Sequence, residues 1–427
     1  MTVSAARSIL PPLSADEQQH SAAVATRLRA ALAAAGDWLS FERFMEIALY
    51  EPGLGYYSAG SAKFGAAGDF VTAPEISDLF SRCVARQCAE VLAVTGGEIL
   101  ELGAGTGRMA AVVLESLAAV GVLPQRYAIL EVSADLAERQ RARLQSLPRA
   151  LLERVVWLER LPETPIRGIV LANEVLDALP CQRFVIGSGA GALELGVSLS
   201  PSGGAGFGER AGATEGPLAA AFSERADAAE GSLAVAFSER ARAADVSLAV
   251  AVDKLLADLP GALPAGYTTE LCLRVEPWVA SVGELLERGM ILLFDYGLPR
   301  SHYYHPQRVS GTLRCHFKQR AHDDPYINVG VQDITAWVDF TRVAEAALAA
   351  GLDVAGFCTQ AAFLLATGIE ALVAEAVGTV ERTRRAGEAR RLLLPGEMGE
   401  SFKAMALTRD YDAALGGFAL QDLRHSL

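Results

Sequence analysis

The feature that most constrains this chain is Ile99-Leu-Glu-Leu-Gly-Ala-Gly-Thr-Gly107, an apolar run that ends in alternating glycines. A short apolar run closed by glycine reads as a strand delivering the chain to a tight turn, and the pattern from about Arg108 reads as a helix. Related units follow it. Strands are predicted at Glu98–Leu102, Tyr127–Glu131, Val155–Leu158 and Ile169–Ala172, each with a polar or glycine turn and a helical pattern after it. Such alternation builds a parallel sheet with helices on both faces. A fifth strand, Gly289–Asp295, has the unbroken apolar run of a strand buried on both sides. Asp353–Cys358 and Ser401–Thr408 supply two more, and the last alternates at period two, as an edge or antiparallel strand would. The expected fold class is α/β, a Rossmann-like sheet with an N-terminal extension and a large insertion between strands four and five.

The flanking segments divide the chain. Helices are predicted at Ala22–Ala35 and Ser40–Leu49, then a glycine- and aromatic-rich loop runs from Glu51 to Glu75, then a helix spans Ile76–Val94. Long loops inside compact domains are usually functional or disordered, and the aromatics here argue against disorder. The insertion carries a fifteen-residue repeat opening at Gly206, Ala221 and Ala236. That period is too short for the common solenoid units, so it reads as a tandem duplication in a tolerant surface segment. The division expected is residues 1–95 for N-terminal helices and loop, 96–180 for the cofactor-binding core, 181–288 for the insertion with repeats over 206–250, and 289–427 for the rest of the catalytic domain with a His/Tyr-rich loop over 300–340.

Composition removes several classes of function. A net charge of -13 disfavours nucleic acid, whose affinity comes from Lys and Arg meeting phosphates. No apolar run is long and uncharged enough to span a bilayer, and the first twenty residues lack the apolar core of a secretory signal. The reading is a cytoplasmic bacterial protein. Its six cysteines lie scattered without a CxxC pair and read as buried thiols.

Glycines in the turn at Glu101-x-Gly103-x-Gly105-x-Gly107 let backbone amides approach a ligand, because side chains would fill its space. Dinucleotide sites favour G-x-G-x-x-G, whereas this spacing suits S-adenosylmethionine, which has no pyrophosphate to set on the helix dipole. The second strand ends at Glu131, where a carboxylate can accept hydrogen bonds from both ribose hydroxyls; a solvated strand end is the alternative. Asp69, Thr72 and Pro74 of the loop complete the expected cofactor-binding set. After the fourth strand come Asn173, Glu174 and Asp177, beyond the carboxyl end of the sheet where ligands of open α/β folds bind, so these are candidates for holding the methyl acceptor. The competing reading makes Asn173 a helix cap and Glu174 a first-turn acid.

Phe44-Met-Glu-Ile-Ala-Leu-Tyr50 with Gly55-Tyr-Tyr57, Gly68-Asp-Phe-Val-Thr-Ala-Pro-Glu-Ile-Ser77, Glu101–Gly107 and Asn173-Glu-Val-Leu-Asp-Ala-Leu-Pro180 resemble the MidA family of class I methyltransferases. Further matches are Asp295-Tyr-Gly297, Tyr304-His-Pro306, Arg320-Ala-His-Asp-Asp-Pro325 and Gln332-Asp-Ile-Thr335. Val175-Leu176 departs from the family's aromatic pair. The resemblance implies symmetric dimethylation of protein arginine on a respiratory complex I-type subunit, with eukaryotic relatives in mitochondria; a homodimer is compatible with it. Guanidinium is fully protonated and a poor nucleophile, so carboxylates must orient it and relieve its charge. Glu174 and Asp177 are the first choices, with Asp69 and Glu75 behind them.

Two other motifs are discounted. Asp323-Asp-Pro-Tyr326 looks like a DNA adenine methyltransferase signature but does not follow the fourth strand. His302, His305, His316 and His322 lack metal-ligand spacing, so no metal is expected, and their segment reads as a loop over the acceptor pocket through Tyr303, Tyr304 and Phe317. A non-catalytic cofactor-binding assembly factor and an NAD-dependent oxidoreductase are the alternatives to an enzyme that transfers methyl groups.

Overall fold

Seven strands make the continuous path of the main sheet, β1 (Glu98–Leu102), β2 (Tyr127–Leu130), β3 (Val155–Leu158), β4 (Ile166–Asn173), β5 (Leu286–Leu298), β6 (Asp353–Thr359) and β7 (Phe402–Arg409), and an eighth, Val338–Asp339, pairs with the end of β5. The seven lie in the order β6-β7-β5-β4-β1-β2-β3. The run from β5 to β3 is parallel throughout, and β7 is antiparallel to both its neighbours. The computed structural model describes residues 10–59, 71–188, 191–199 and 237–427. Asp69 and the repeats up to residue 236 therefore lie outside the described residues.

The alternation in β7 does mark an antiparallel strand, but not an edge. Ala404 and Ala406 join the core on one face while Met405 and Leu407 join the core on the other. Period two here records small residues on one covered face and large ones on the opposite covered face. The first face is packed by α4 (Asp78–Thr95), α5 (Arg108–Ala119) and the helix Gln360–Ala366. The second is packed by α7 (Val275–Leu285) and α8 (Phe340–Ala349).

Two of the expected helices are absent. β3 passes through residues 159–165 straight into β4, and β4 passes through a turn at 174–181 into a further strand, Gln182–Ile186. Pro162 and Pro165 explain the first, since each lacks an amide donor and its ring resists helix. Asn173 is therefore no helix cap, and Glu174 occupies no first turn.

Strands Gln182–Ile186, Ala192–Leu199, Phe237–Ala243 and Thr268–Leu271 form an antiparallel second sheet with the N-terminal pair Leu39–Ser40. The described strands of the expected insertion thus form a sheet separate from the main one, while α7 packs on the main sheet and residues 286–288 already belong to β5. A small third sheet sets Arg314–Phe317 between Arg320–His322 and Asp333–Thr335. α1 (Ala15–Ala34) begins earlier than its apolar pattern, because Ser14 and Glu17 close a capping box. α2 (Phe41–Tyr50) is capped by Ser40, and the short α3 (Ala73–Ile76) precedes α4, which is capped by Ser77. α6 (Ala134–Leu144) is capped by Ser133.

At the start of the sheet the strands approach closely. Gly168 of β4 and Gly289 of β5 have φ of 124° and 136°. A Cβ on Gly168 would lie 2.1 Å from the Glu98 carbonyl oxygen, and one on Gly289 would lie 1.9 Å from that of Gly168. Among the described residues no helix is long and apolar enough to cross a membrane. All six cysteines are free, and five are buried.

Candidate active site

One cavity of about 910 Å³ opens beyond the carboxyl ends of β1, β2, β4 and β5. Ligand pockets run from about 300 to 1,000 Å³, so there is room for a cofactor and a second group. The glycine turn forms one end. Gly105 has φ 54°, and no atom lies within 4 Å of where its Cβ would be, so its missing side chain leaves open cavity. Gly103 lines the cavity too. Gly107 does not: it is set back, with Gln140 3.3 Å from its would-be Cβ, so it serves packing of α5 on α6.

Glu101 is 1% exposed and accepts a 2.6 Å hydrogen bond from the Tyr127 hydroxyl. Burial pushes its carboxyl up to about 7, against the lowering effect of Tyr127. Glu131 accepts from the Ser133 amide at 2.9 Å and from Gln140 Nε2 at 2.9 Å. The same Gln140 nitrogen donates to the Gly105 carbonyl at 2.9 Å, and its oxygen accepts from Trp157 Nε1 at 3.0 Å. Gln140, fully buried, therefore ties the glycine turn to the acid ending β2; sequence reasoning missed it because it sits mid-helix without a motif. Thr72 and Pro74 line the cavity. Glu75 accepts from the Thr106 hydroxyl, and its carbonyl accepts from Arg108 at 2.6 Å, so it braces the glycine turn at the cofactor end.

The other end is acidic and aromatic. Glu174 has φ 54°, a costly backbone for a side-chain-bearing residue, fixed by its amide donating to the Phe294 carbonyl at 2.8 Å. Asn173 donates to its Oε1 at 3.2 Å. Burial, then the charge of Asp177, pushes Glu174 up to about 8. Asp177 is 5% exposed; the Tyr296 hydroxyl donates to its Oδ2, while its buried Oδ1 has no hydrogen-bond partner. Burial raises it to about 6. Behind them Asp295 accepts from the amides of Leu176 at 2.9 Å and Asp177 at 3.2 Å, locking the turn that carries both acids. Burial and its acidic neighbours raise Asp295 well above the usual carboxylate range.

Asn173, Glu174 and Asp177 thus share one cavity with Glu101, Gly103, Gly105 and Glu131. Tyr50, Tyr57, Tyr296, Asp333, Trp278, Trp337 and Phe402 also line it, and sequence reasoning gave none of these a role. The signal was present for Tyr50, Tyr57, Tyr296 and Asp333, which all fall inside the motifs quoted above. The His/Tyr-rich segment is placed differently from expectation. His316 and Arg314 line the cavity, but Tyr303 and Tyr304 turn away into a core with Phe184 and Tyr267, and Phe317 is buried. Among the described residues no three His, Cys, Asp or Glu side chains group as metal ligands.

A continuous seven-strand path with one antiparallel strand beside β5, a glycine turn after β1 and an acid ending β2 define a class I methyltransferase. A model of the family described as putative S-adenosyl-L-methionine-dependent methyltransferases matches residues 83–358, and the chain belongs to that family. A crystal structure of a Burkholderia thailandensis relative bound to S-adenosyl-homocysteine is 38% identical, with 98% of this chain and 100% of that one covered and a TM-score of 0.84. The mitochondrial protein arginine methyltransferase NDUFAF7 homolog of Drosophila melanogaster is 28% identical over 426 residues, 93% of this chain and 87% of that protein. The Danio rerio NDUFAF7 arginine methyltransferase is 29% identical over 171 residues, only 40% of its length. S-Adenosylmethionine is the cofactor, and the residues present fit it. The open space at Gly105 admits it, Glu131 stands oriented at the end of β2, and Leu102, Met109, Leu130 and Leu136 give apolar walls.

Proposed function

We propose that this methyltransferase acts on a guanidinium nitrogen of arginine in a protein. The observation that carries the reading is the buried, unpartnered Oδ1 of Asp177, lying beside Glu174 in the cavity that holds the glycine turn. Among the described residues neither acid forms an ion pair with an Arg, Lys or His side chain; the charges that raise Glu174 are those of Asp177 and Asp333, both acidic. Two carboxylates with no direct ion pair, in a cavity lined by aromatic rings, suit a planar cation. The relatives named as protein arginine methyltransferases support the same acceptor.

In this reading Glu101, Gly103, Gly105, Glu131, Thr72 and Pro74 hold the cofactor, with Gly107 and Gln140 shaping the turn behind them. When bound, the cofactor supplies an electrophilic methyl group on a positively charged sulfur. Glu174 and Asp177 orient the guanidinium by fork-type hydrogen bonds, and alignment supplies most of the rate gain. A guanidinium enters and leaves the reaction with one positive charge, so one proton must be released as the nitrogen–carbon bond forms. Glu174 is raised to about 8 only while no cation is bound; the guanidinium's charge would ionise it, and it would then take that proton while Asp177 keeps the charge that holds the product. Residues 96–180 and 289–427 would form the catalytic part, and 181–288 with the N-terminal segment the layer beside it.

Transfer of labelled methyl groups to extract proteins, followed by mass spectrometry, tests this. Label on arginine in the parent chain, lost in Glu174→Gln, is expected; label on another residue type would overturn the acceptor, and binding without any transfer would favour an assembly factor. Symmetric dimethylation, a complex I-type target and a cytoplasmic location are finer proposals resting on the family resemblance, and dimethylarginine isomer analysis with cell fractionation tests them.

A further inference from the structure

The acceptor end has a third carboxylate that reaches it from a different part of the fold. Asp333 lies in the small third sheet, is 2% exposed, and lines the cavity with Glu174 and Asp177. Its Oδ1 accepts from the Tyr57 hydroxyl at 2.8 Å and from the Ile334 amide at 3.0 Å. Tyr57 stacks on Tyr50 with ring centroids 5.4 Å apart, and the Tyr50 hydroxyl donates to the Ala178 carbonyl at 2.9 Å. The Ala336 amide donates to the Asp177 carbonyl at 3.0 Å. One hydrogen-bonded ring of contacts thus joins the N-terminal aromatics, the turn after β4 and the strand bearing Asp333.

We propose that Asp333 is a third acceptor carboxylate, fixed by Tyr57, which grips the edge of the cationic group that Glu174 and Asp177 leave free. This rests on the reading of those two acids as acceptor ligands. The independent pointer to a ligand is again Asp177 Oδ1, nine-tenths buried and unpartnered in the same cavity. A guanidinium carries five donors in a rigid fork, more than two carboxylates arranged on one turn can satisfy. Asp333 reaches the same cavity from a separate element, the third sheet, just before Ala336, which hydrogen-bonds the turn bearing Asp177. A structural origin for Asp333 alone would not require its placement on the cavity wall.

Asp333 also bears on protonation of Glu174. The charges acting on Glu174 are those of Asp177 on its own turn, Asp333 on the third sheet and Asp295 on β5, while Tyr50, Tyr57, Tyr296, Arg274, Arg314 and His316 line the same cavity. The charge of Asp333 is among the causes that raise Glu174. Neutralising it should therefore move the acid limb of the pH–rate profile to lower pH, which a purely structural role would not do.

The probe is the peptide acetyl-Gly-Arg-Gly-amide, titrated by NMR into the full chain with S-adenosylhomocysteine present. Asp333→Asn keeps an acceptor for Tyr57 and Ile334, and is expected to weaken peptide binding about tenfold or more, since a charge-assisted bond is lost. Tyr57→Phe should weaken it by a smaller factor, and both should bind S-adenosylhomocysteine within twofold of the parent, which also certifies folding. If Glu174→Gln weakens the peptide and Asp333→Asn does not, the third carboxylate is wrong while the acceptor reading stands. If neither variant alters the peptide, or the parent chain does not bind it, both fall. An unmoved acid limb in Asp333→Asn would likewise remove Asp333 from the site.

Discussion

Gly105 shows how much a single residue decides. Its missing side chain leaves open space facing the cavity, and its φ of 54° resists replacement. Gly105→Val should abolish S-adenosylhomocysteine binding in calorimetry while the far-UV circular dichroism stays that of the parent; unchanged affinity would displace the cofactor from this turn. Glu174→Gln should leave cofactor affinity within a few-fold and lower turnover by about two orders of magnitude, because a charge-assisted bond aimed at the reacting group is lost. Parent-rate methylation by that variant would sink the assignment. These residues were legible because position alone exposes them: each follows a recognisable strand. Gln140 was not, and Asp295, though it ends a predicted strand and opens a quoted motif, gave no sign of its role, since what the two do depends on atoms brought near by folding. Gln140 touches a carbonyl 35 positions away and Asp295 two amides well over a hundred positions away.

At the scale of elements, apolar runs located the seven strands, and Pro162 and Pro165 explain the missing helix between β3 and β4. Strand order and direction were less legible, because an unbroken run such as β5 looks the same in either direction. The glycines at the start of β4 and β5 are a feature that periodicity could not find, since they matter only once strands are paired. Gly289→Ala should destabilise the chain by about 2–4 kcal/mol, as its Cβ would strike the Gly168 carbonyl in a backbone conformation that already disfavours side chains. Urea denaturation checks this, and a loss under half a kcal/mol would show that the strands can part cheaply. Removing Ala221 to Val235, one copy of the repeat, should change the melting temperature by no more than about 2 °C, since closure entropy grows only logarithmically with loop length. A large loss would make the array structural.

Burial across the whole molecule raises several carboxyls above their ordinary range. Glu101 at about 7, Glu174 at about 8 and Asp177 at about 6 all stand above their ordinary values of 4.5 and 3.8. Folding therefore binds protons that the unfolded chain would release, and the stability this gives is complete below about pH 4 and is lost as pH rises toward 8. The cofactor-free chain should unfold more readily at pH 8.5 than at pH 5.5, by on the order of 2 kcal/mol, with the difference reduced in Glu174→Gln. Denaturation curves at the two pH values decide it; equal stability would mean that the acids are already ionised in the folded chain. The position of β7 has a consequence of another kind. It lies between β5 and β6, yet both are made before it on the ribosome. A growing chain holds β6 with no neighbour until Arg409 has been synthesised, and Phe402, at the start of the late strand, also lines the cavity. Order of manufacture thus leaves the cavity wall at Phe402 and the pairing of β6 to the last stretch of synthesis.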